Sequence, residues 1–361
     1  VKNIFQIVEK ISKEMGGLRT SVTSIDDYIN SQNNFNSTII TSKKEKEDTY
    51  VEFVPQKLDF WCYSTDLKTY LETNISKAVI VHTHGVFMYP QYISCKIAES
   101  KKIPYLITAH GMLEPYLNKG SIKKKVYSKL FLEKMLKKAS AIHAITPFEK
   151  NNLFSLTKHK NIVEIPNFIS FSEIPVLETY NPIEEYLLYL GRIHEGKGLD
   201  ILIQSLSKID NKKIKLKIVG TENEYSEVLK KLSRDLNIDD RIDFMGGVYG
   251  HEKYKLYKNA KVMVAPSFSE VIGMVNLEAA ACKTPVITTF NTGINPDWNT
   301  SGGIMINPNT DELINAINQS VNWSTRERNQ RGYTLSDFVR KNYSWEEKGY
   351  LWNELYNSLL K

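Results

Sequence analysis

The sequence predicts an α/β protein of two doubly wound domains, each a parallel sheet flanked by helices. Three observations carry this. Short apolar runs recur along the 361 residues, mostly continuous rather than alternating in hydrophobicity, as strands buried on both faces are. Helical stretches separate most of them, which argues for parallel strands joined by right-handed crossovers. The length suits about two domains at roughly 150 residues each.

In the first half the strand candidates are 4–8, 37–41, 50–54, 78–82, 105–108, 141–145 and 163–165. In the second half they are 186–190, 215–219, 241–244, 262–265 and 285–288. Between the halves, residues 167–183 lose periodicity and contain Pro175 and Asn181-Pro182. The expected domains are 1–172, joined by a C-terminal helix over 344–361, and 173–343. Trp345, Leu351, Trp352, Leu355 and Leu359 would form the buried face of that helix. No internal repeat or low-complexity tract is present. Two such domains in series would place a ligand cleft between them, at the carboxyl ends of the strands.

Composition excludes several classes. Hydrophobic residues at 42% and charged residues at 24% are too apolar a mixture for a disordered chain. No run approaches the ~18 apolar residues of a membrane span. The opening residues 1–6 carry no signal-peptide pattern. Cys62, Cys95 and Cys282 are widely spaced and without C-x-x-C, so they read as buried small side chains in a reducing compartment. A soluble cytoplasmic protein is expected.

The net charge of +6 is concentrated. Residues 119–138 hold eight lysines against Glu133 alone, a local +7, with Val126, Tyr127, Leu130 and Phe131 interleaved. The rest of the chain is near neutral, and no nucleic-acid module accompanies the lysines. A solvated helix face and a peripheral contact with anionic lipid, through Lys123, Lys124, Lys125 and Lys129, are both open readings.

Four clusters follow strand candidates, where an open parallel sheet binds its ligands. Gly16-Gly17 precedes a helix and offers backbone N–H groups at its N-terminus, a seat for phosphate or a plain turn. His110-Gly111 follows 105–108; its imidazole suits a hydroxyl contact or proton transfer, or it caps the core. His82 and His84 end another strand, and a metal site with His110 is conceivable but has no identifiable acidic ligand. The stretch from Gly191 to Asp200 (GRIHEGKGLD) brings Arg192 and Lys197 to one loop at a helix start, a site for a diphosphate. Lys197 is followed by Gly198 where a P-loop needs Ser or Thr. Finally, Glu270 and Glu278 flank Gly273: one carboxylate in a loop and one about a turn into a helix, with N–H groups near Val275 and Asn276 left over as first-turn donors. Two such carboxylates suit the hydroxyls at the two ends of a nucleotide-sugar.

Together these residues resemble a retaining glycosyltransferase of the GT-B group, family 4, of the bacterial polysaccharide-assembly type. The resemblance spans nearly the whole chain and is strongest over 187–306. The G-R-x5-G motif with its lysine stands as Gly191-Arg192 to Lys197-Gly198, the E-x7-E motif as Glu270 to Glu278, and the N-terminal glycine pair as Gly16-Gly17. The run 110–115 (HGMLEP) resembles the same members. The chain departs from the pattern at Val271, at Ile272, where an aromatic is usual, and at Cys282-Lys283, where small residues and Gly are usual.

By this resemblance, Arg192 and Lys197 hold the donor diphosphate, Glu278 the ribose and Glu270 the sugar hydroxyls. Backbone amides of Met274, Val275 and Asn276, beyond Gly273, complete the phosphate site, and His110 lies beside the transferring sugar. No divalent metal or cofactor is implied, and no D-x-D occurs. The expected reaction moves a hexose or N-acetylhexosamine, UDP-linked by family frequency, to a hydroxyl of a lipid-linked glycan in capsule, O-antigen or exopolysaccharide synthesis. The enzyme would be cytoplasmic, with a peripheral contact on the inner face of the membrane. A GT-B epimerase or phosphorylase, or a nucleotide-sugar binder without turnover, would share the architecture.

Overall fold

In a computed structural model, described for all residues except 1, 13–14, 47, 50, 114–125 and 177–184, the chain divides into two compact units. One is 1–168 with 349–361, and the other is 169–348.

The first unit contains β1 (Lys2–Val8), α1 (Gly17–Ser31), β2 (Phe35–Thr41), β3 (Glu52–Phe53), α2 (Thr65–Asn74), β4 (Ala78–His84), α3 (Tyr89–Ser100), β5 (Tyr105–Thr108), α4 (Glu133–Lys138), β6 (Ala141–Ala144), α5 (Pro147–Thr157) and β7 (Ile162–Glu164). The strands form one sheet in the order β3-β2-β1-β4-β5-β6-β7, and every pairing is parallel. β4 to β6 are buried almost throughout, which explains their unbroken apolar runs. The expected strand over 50–54 contracts to Glu52–Phe53, whose side chains are exposed at the sheet edge.

The second unit contains β8 (Tyr186–Leu190), α6 (Leu199–Lys208), β9 (Lys215–Val219), α7 (Glu224–Asp235), β10 (Ile242–Phe244), α8 (Gly250–Asn259), β11 (Val262–Val264), α9 (Met274–Ala281), β12 (Val286–Thr289), β13 (Ile304–Ile306), α10 (Thr310–Val321), α11 (Thr325–Tyr343) and α12 (Trp345–Lys348). Its sheet runs β10-β9-β8-β11-β12-β13, again all parallel. β13 was not among the strand candidates. It is only three residues long and follows Gly302-Gly303. Arg241, expected to open a strand, is instead buried with its guanidinium donating to the carbonyls of Leu206, Asn211 and Ile214.

The expected C-terminal helix is two pieces. Ser344 is extended and ends α11. α12 belongs to the second unit, and α13 (Tyr350–Ser358) to the first. There Trp352 and Tyr356, one helical turn apart, pack on the sheet: Trp352 lies 4.7 Å from the His143 ring, and Tyr356 lies 5.9 Å from Phe35. The three cysteines are free and buried. Among the described residues no helix is long and apolar enough to cross a membrane.

Candidate functional site

In the second unit, β8 delivers the chain into a loop held from several sides. The Gly191 N–H donates to Val219 O at 3.0 Å, and the Tyr189 hydroxyl donates to Arg192 O at 2.7 Å. This leaves the Arg192 side chain exposed, with no ion pair or hydrogen bond among the described residues. Gly198 sits at φ 68° as the N-cap of α6, and a Cβ there would lie 2.2 Å from Pro266 O, so only glycine fits. The Phe268 N–H donates to Gly196 O at 3.0 Å. These contacts join the Arg192–Lys197 loop to the β11–α9 loop, and Lys197 Nζ donates to Glu270 Oε2. Two motifs separated by 73 residues therefore meet in one ion pair, each side chain about a fifth exposed (17% and 24%).

The β11–α9 loop is anchored by Glu270 N–H to Asn291 O (3.2 Å) and by Gly293 N–H to Val271 O (2.7 Å). Gly273 caps α9 at φ 63°, and a Cβ there would lie 2.7 Å from Asn276 Nδ2. The first-turn donors differ from expectation at one residue. Asn276 N–H is used, donating to Gly273 O at 2.8 Å. Those of Met274 and Val275 have no acceptor among the described residues, as the first turn of a helix dictates. The buried Asn276 Oδ1 is also without a partner. Glu278 Oε2 accepts from Tyr257 Oη at 3.0 Å and from Lys253 Nζ at 3.1 Å. Burial and the Glu278 carboxylate push the Tyr257 hydroxyl well above its ordinary pKa, so it stays a donor.

The departures from the family pattern find physical places. Ile272 is buried. Lys283 is the left-handed residue (φ 61°) that ends α9, with Thr284 N–H returning to Ala279 O at 3.0 Å. Glycine is usual at such a helix end because a side chain there costs about 1 kcal/mol.

In the first unit, Gly16 (φ 51°) caps α1, and nothing lies within 4 Å of where its Cβ, or that of Gly17, would stand. His110 holds a left-handed backbone (φ 52°) two residues after the end of β5. Its turn is fixed by Glu149, which Pro147 and the Thr146 cap place in the first turn of α5. One Glu149 oxygen accepts from Gly111 N–H at 2.7 Å and the other from Ile145 N–H at 2.8 Å. His110 Nε2 lies 3.0 Å from His84 Nδ1. Burial lowers the pKa of both rings, with His110 down to about 3, so both are neutral at pH 7. Among the described residues no group of three His, Cys, Asp or Glu is placed to hold a metal ion.

Lys123, Lys124 and Lys125 of the basic segment lie outside the described residues. Lys129 is exposed, as are Val126 and Leu130. Tyr127 and Phe131 instead turn inward, each 6.0 Å from the Trp61 ring.

Two family descriptions match the chain: "Glycosyltransferase Family 4" over residues 31–173 and "Glycosyl transferases group 1" over residues 177–334. The chain belongs to glycosyltransferase family 4, with the GT-B fold. An uncharacterized glycosyltransferase of Methanocaldococcus jannaschii, MJ1178, is 25% identical over 94% of this chain and 90% of its own length. The O-antigen chain mannosyltransferase RfbU of Salmonella typhimurium is 25% identical over 61% of this chain and 64% of its own. Several further curated relatives, D-inositol 3-phosphate glycosyltransferases among them, match over less than half of their own length. HepE of Anabaena, solved in complex with UDP and glucose, superposes with a TM-score of 0.79 at 13% identity, covering 99% of this chain and all of that one.

Within this family-4 transferase, several side chains at the motifs escaped the sequence reading. Lys253 and Tyr257 reach Glu278 from α8, and no local signal announces them. Glu149 sits in a capped helix start and reads as an ordinary first-turn acid. Gln6 carried the clearest signal, a polar side chain inside the apolar run of β1 that proves fully buried.

Proposed function

We propose that the chain transfers a hexose or N-acetylhexosamine, with retention, from a nucleoside diphosphate sugar to a hydroxyl of a lipid-linked glycan in bacterial surface polysaccharide synthesis. The observation that carries this reading is the loop holding Lys197 against Glu270 with Arg192 unpaired beside it. Such a loop has one free cation for a diphosphate. Its second cation is held by a carboxylate that suits sugar hydroxyls once the phosphate takes over the lysine.

In this reading Arg192, Lys197 and the N–H groups of Met274 and Val275 neutralise the departing diphosphate. Glu278, oriented by Lys253 and Tyr257, accepts the ribose hydroxyls. Glu270 orients the sugar, and His110 supports its oxocarbenium-like state through a hydroxyl contact. The bond from the anomeric carbon to the diphosphate oxygen breaks. The bond to the acceptor oxygen forms on the same face, and the acceptor proton passes to the diphosphate. Cationic side chains and amides preorganised for the leaving group do what a divalent metal does elsewhere, so turnover is expected to survive EDTA. UDP is the favoured donor nucleotide, in keeping with the HepE complex. The RfbU likeness supports a surface-glycan acceptor. Gly16 and Gly17 would add N–H groups to the donor site. Lys123, Lys124, Lys125 and Lys129 would hold the enzyme against anionic lipid, which vesicle binding by a variant with all four changed to Gln would test.

The test of the reaction is product analysis by NMR with a UDP-sugar and a lipid-linked acceptor. A glycoside that keeps the donor's anomeric configuration supports the reading. Sugar transferred to inorganic phosphate instead, an epimerised donor, or inversion would refute it.

A further inference from the structure

Six buried residues of the first unit form one continuous hydrogen-bonded chain that ends at the partly buried His110. His143 Nε2 lies 2.7 Å from Ile165 O, and His143 Nδ1 lies 2.9 Å from Thr108 Oγ1. Thr108 Oγ1 lies 2.7 Å from His82 Nε2, and His82 Nδ1 lies 2.9 Å from Tyr356 Oη. Gln6 Nε2 reaches Tyr356 Oη at 3.3 Å, and Gln6 Oε1 lies 2.7 Å from His84 Nε2. His84 Nδ1 then meets His110 Nε2 at 3.0 Å.

A backbone carbonyl can only accept, so His143 Nε2 must carry a proton. Each following position is then decided by the count of protons available. Neutral His143 accepts at Nδ1, so the single Thr108 hydroxyl proton goes there. Thr108 Oγ1 must then accept from His82 Nε2–H. Neutral His82 accepts at Nδ1 from the Tyr356 hydroxyl. Tyr356, its proton spent, accepts from the Gln6 amide, and Gln6 Oε1 is left facing His84 and must accept from Nε2–H. His84 accepts at Nδ1 from His110 Nε2–H. The premise of neutral rings holds throughout: burial lowers the pKa of His82, His84, His110 and His143.

We infer that this chain is a tautomer lock, in which Gln6, His84, Tyr356, His82, Thr108 and His143 act as positioning residues that hold His110 with its proton on Nε2 and its lone pair on Nδ1. The other ring nitrogen of His110, Nδ1, is therefore a hydrogen-bond acceptor. It takes a hydrogen bond from a sugar hydroxyl rather than giving one, and that raises electron density on the hydroxyl oxygen. This last step rests on the proposed role of His110; the lock itself does not. The Tyr356 hydroxyl is the keystone. A flipped Gln6 amide would reverse His84 and His110 together, but its carbonyl would then face the Tyr356 oxygen, whose proton is already committed to His82. The C-terminal helix thus sets the chemistry of a residue after β5, 246 positions earlier in the chain.

The experiment is long-range 1H–15N correlation spectroscopy of the full chain, labelled at histidine, at pH 7. The chain has seven histidines, and loss of one set of signals in His110→Gln assigns that ring. The lock predicts neutral His110 protonated at Nε2, and the same tautomer for His82, His84 and His143. His110 found protonated at Nδ1, or as imidazolium, overturns it without any assay of activity. Tyr356→Phe is expected to populate the Nδ1–H form of His84 and His110. It should lower kcat roughly five- to tenfold, the worth of about one hydrogen bond, with donor KM unchanged. Unchanged tautomers in folded Tyr356→Phe would also overturn the lock. A correct wild-type tautomer with full activity in His110→Ala would instead reject the proposed role of His110 and leave the lock standing.

Discussion

Arg192 and Lys197 differ in what they do without a ligand. The Lys197 ammonium is satisfied by Glu270, whereas the Arg192 guanidinium has no partner among the described residues. Removing Arg192 therefore subtracts nothing from the fold. Arg192→Ala is expected to leave the melting temperature within about 1 °C, since exposed substitutions cost little, and to cut turnover at least about tenfold, one charge-assisted contact. Thermal melts beside a steady-state assay check both halves; full activity would contradict the role. Glu149 makes the opposite case. Its carboxyl, raised in pKa by burial, takes the Gly111 and Ile145 N–H groups at once. Glu149→Ala strands two buried donors, so about 1–3 kcal/mol of stability for each is expected to go, measured by urea unfolding. A loss below about 1 kcal/mol would show that water replaces the carboxylate.

At the scale of elements, what was readable from the sequence is what burial writes into composition. β4, β5, β6 and β8 sit inside their sheets, so their apolar runs are unbroken. β3 and β13 occupy sheet edges: the apolar run at 50–54 overstates a strand of two exposed residues, and the three-residue β13 behind a glycine pair leaves almost no signature. The C-terminal helix was readable from its aromatic spacing, but its division between α12 and α13 was not, because Gly349 keeps a helical backbone (φ −57°). α13 holds the first unit together through Trp352, which is 2% exposed and lies against His82 and His143. Trp352→Ala is expected to cost about 3–5 kcal/mol, the usual toll of removing a buried aromatic, read by chemical denaturation. An unchanged midpoint would mean that the helix does not stabilise the sheet it covers.

Over the whole molecule, the buried rings of His82, His84 and His143 and the partly buried ring of His110 make stability depend on pH. Burial lowers the pKa of His82 and His84, and brings His110 to about 3 and His143 to about 4. Unfolded histidine titrates near 6.5. Below that pH the unfolded chain binds more protons than the folded one, so stability falls as pH falls, by up to about 1.4 kcal/mol per pH unit for each ring. Asp26, raised by burial to about 6, opposes this: between pH 6 and its unfolded value the folded state holds the extra proton. Melting temperatures are expected to decline from pH 7 to 4.5, and more steeply in Asp26→Asn; a flat or rising series would contradict the buried neutral rings. The network behind this behaviour was only partly legible. His82, His84 and His110 stand out at strand ends, but Gln6, Thr108 and His143 join them only through the parallel register, which sets Gln6 beside His82, and Thr108 beside both His84 and His143, and Tyr356 only through the packing of α13 on the sheet. The donor-side motifs were legible as spacings, whereas their pairing, Lys197 with Glu270 and Lys253 with Glu278, depends on the tertiary fold. The measurement that bears most directly on the account is a thermal-shift panel of UDP, GDP, ADP, CMP and inorganic diphosphate, with EDTA present, on the wild-type chain and Arg192→Ala. A ligand that binds only the folded state raises the melting temperature by mass action. A shift is expected with one nucleoside diphosphate, UDP before the others, that persists in EDTA and is lost in Arg192→Ala. No shift with any of them, or one that requires a divalent metal, would contradict it.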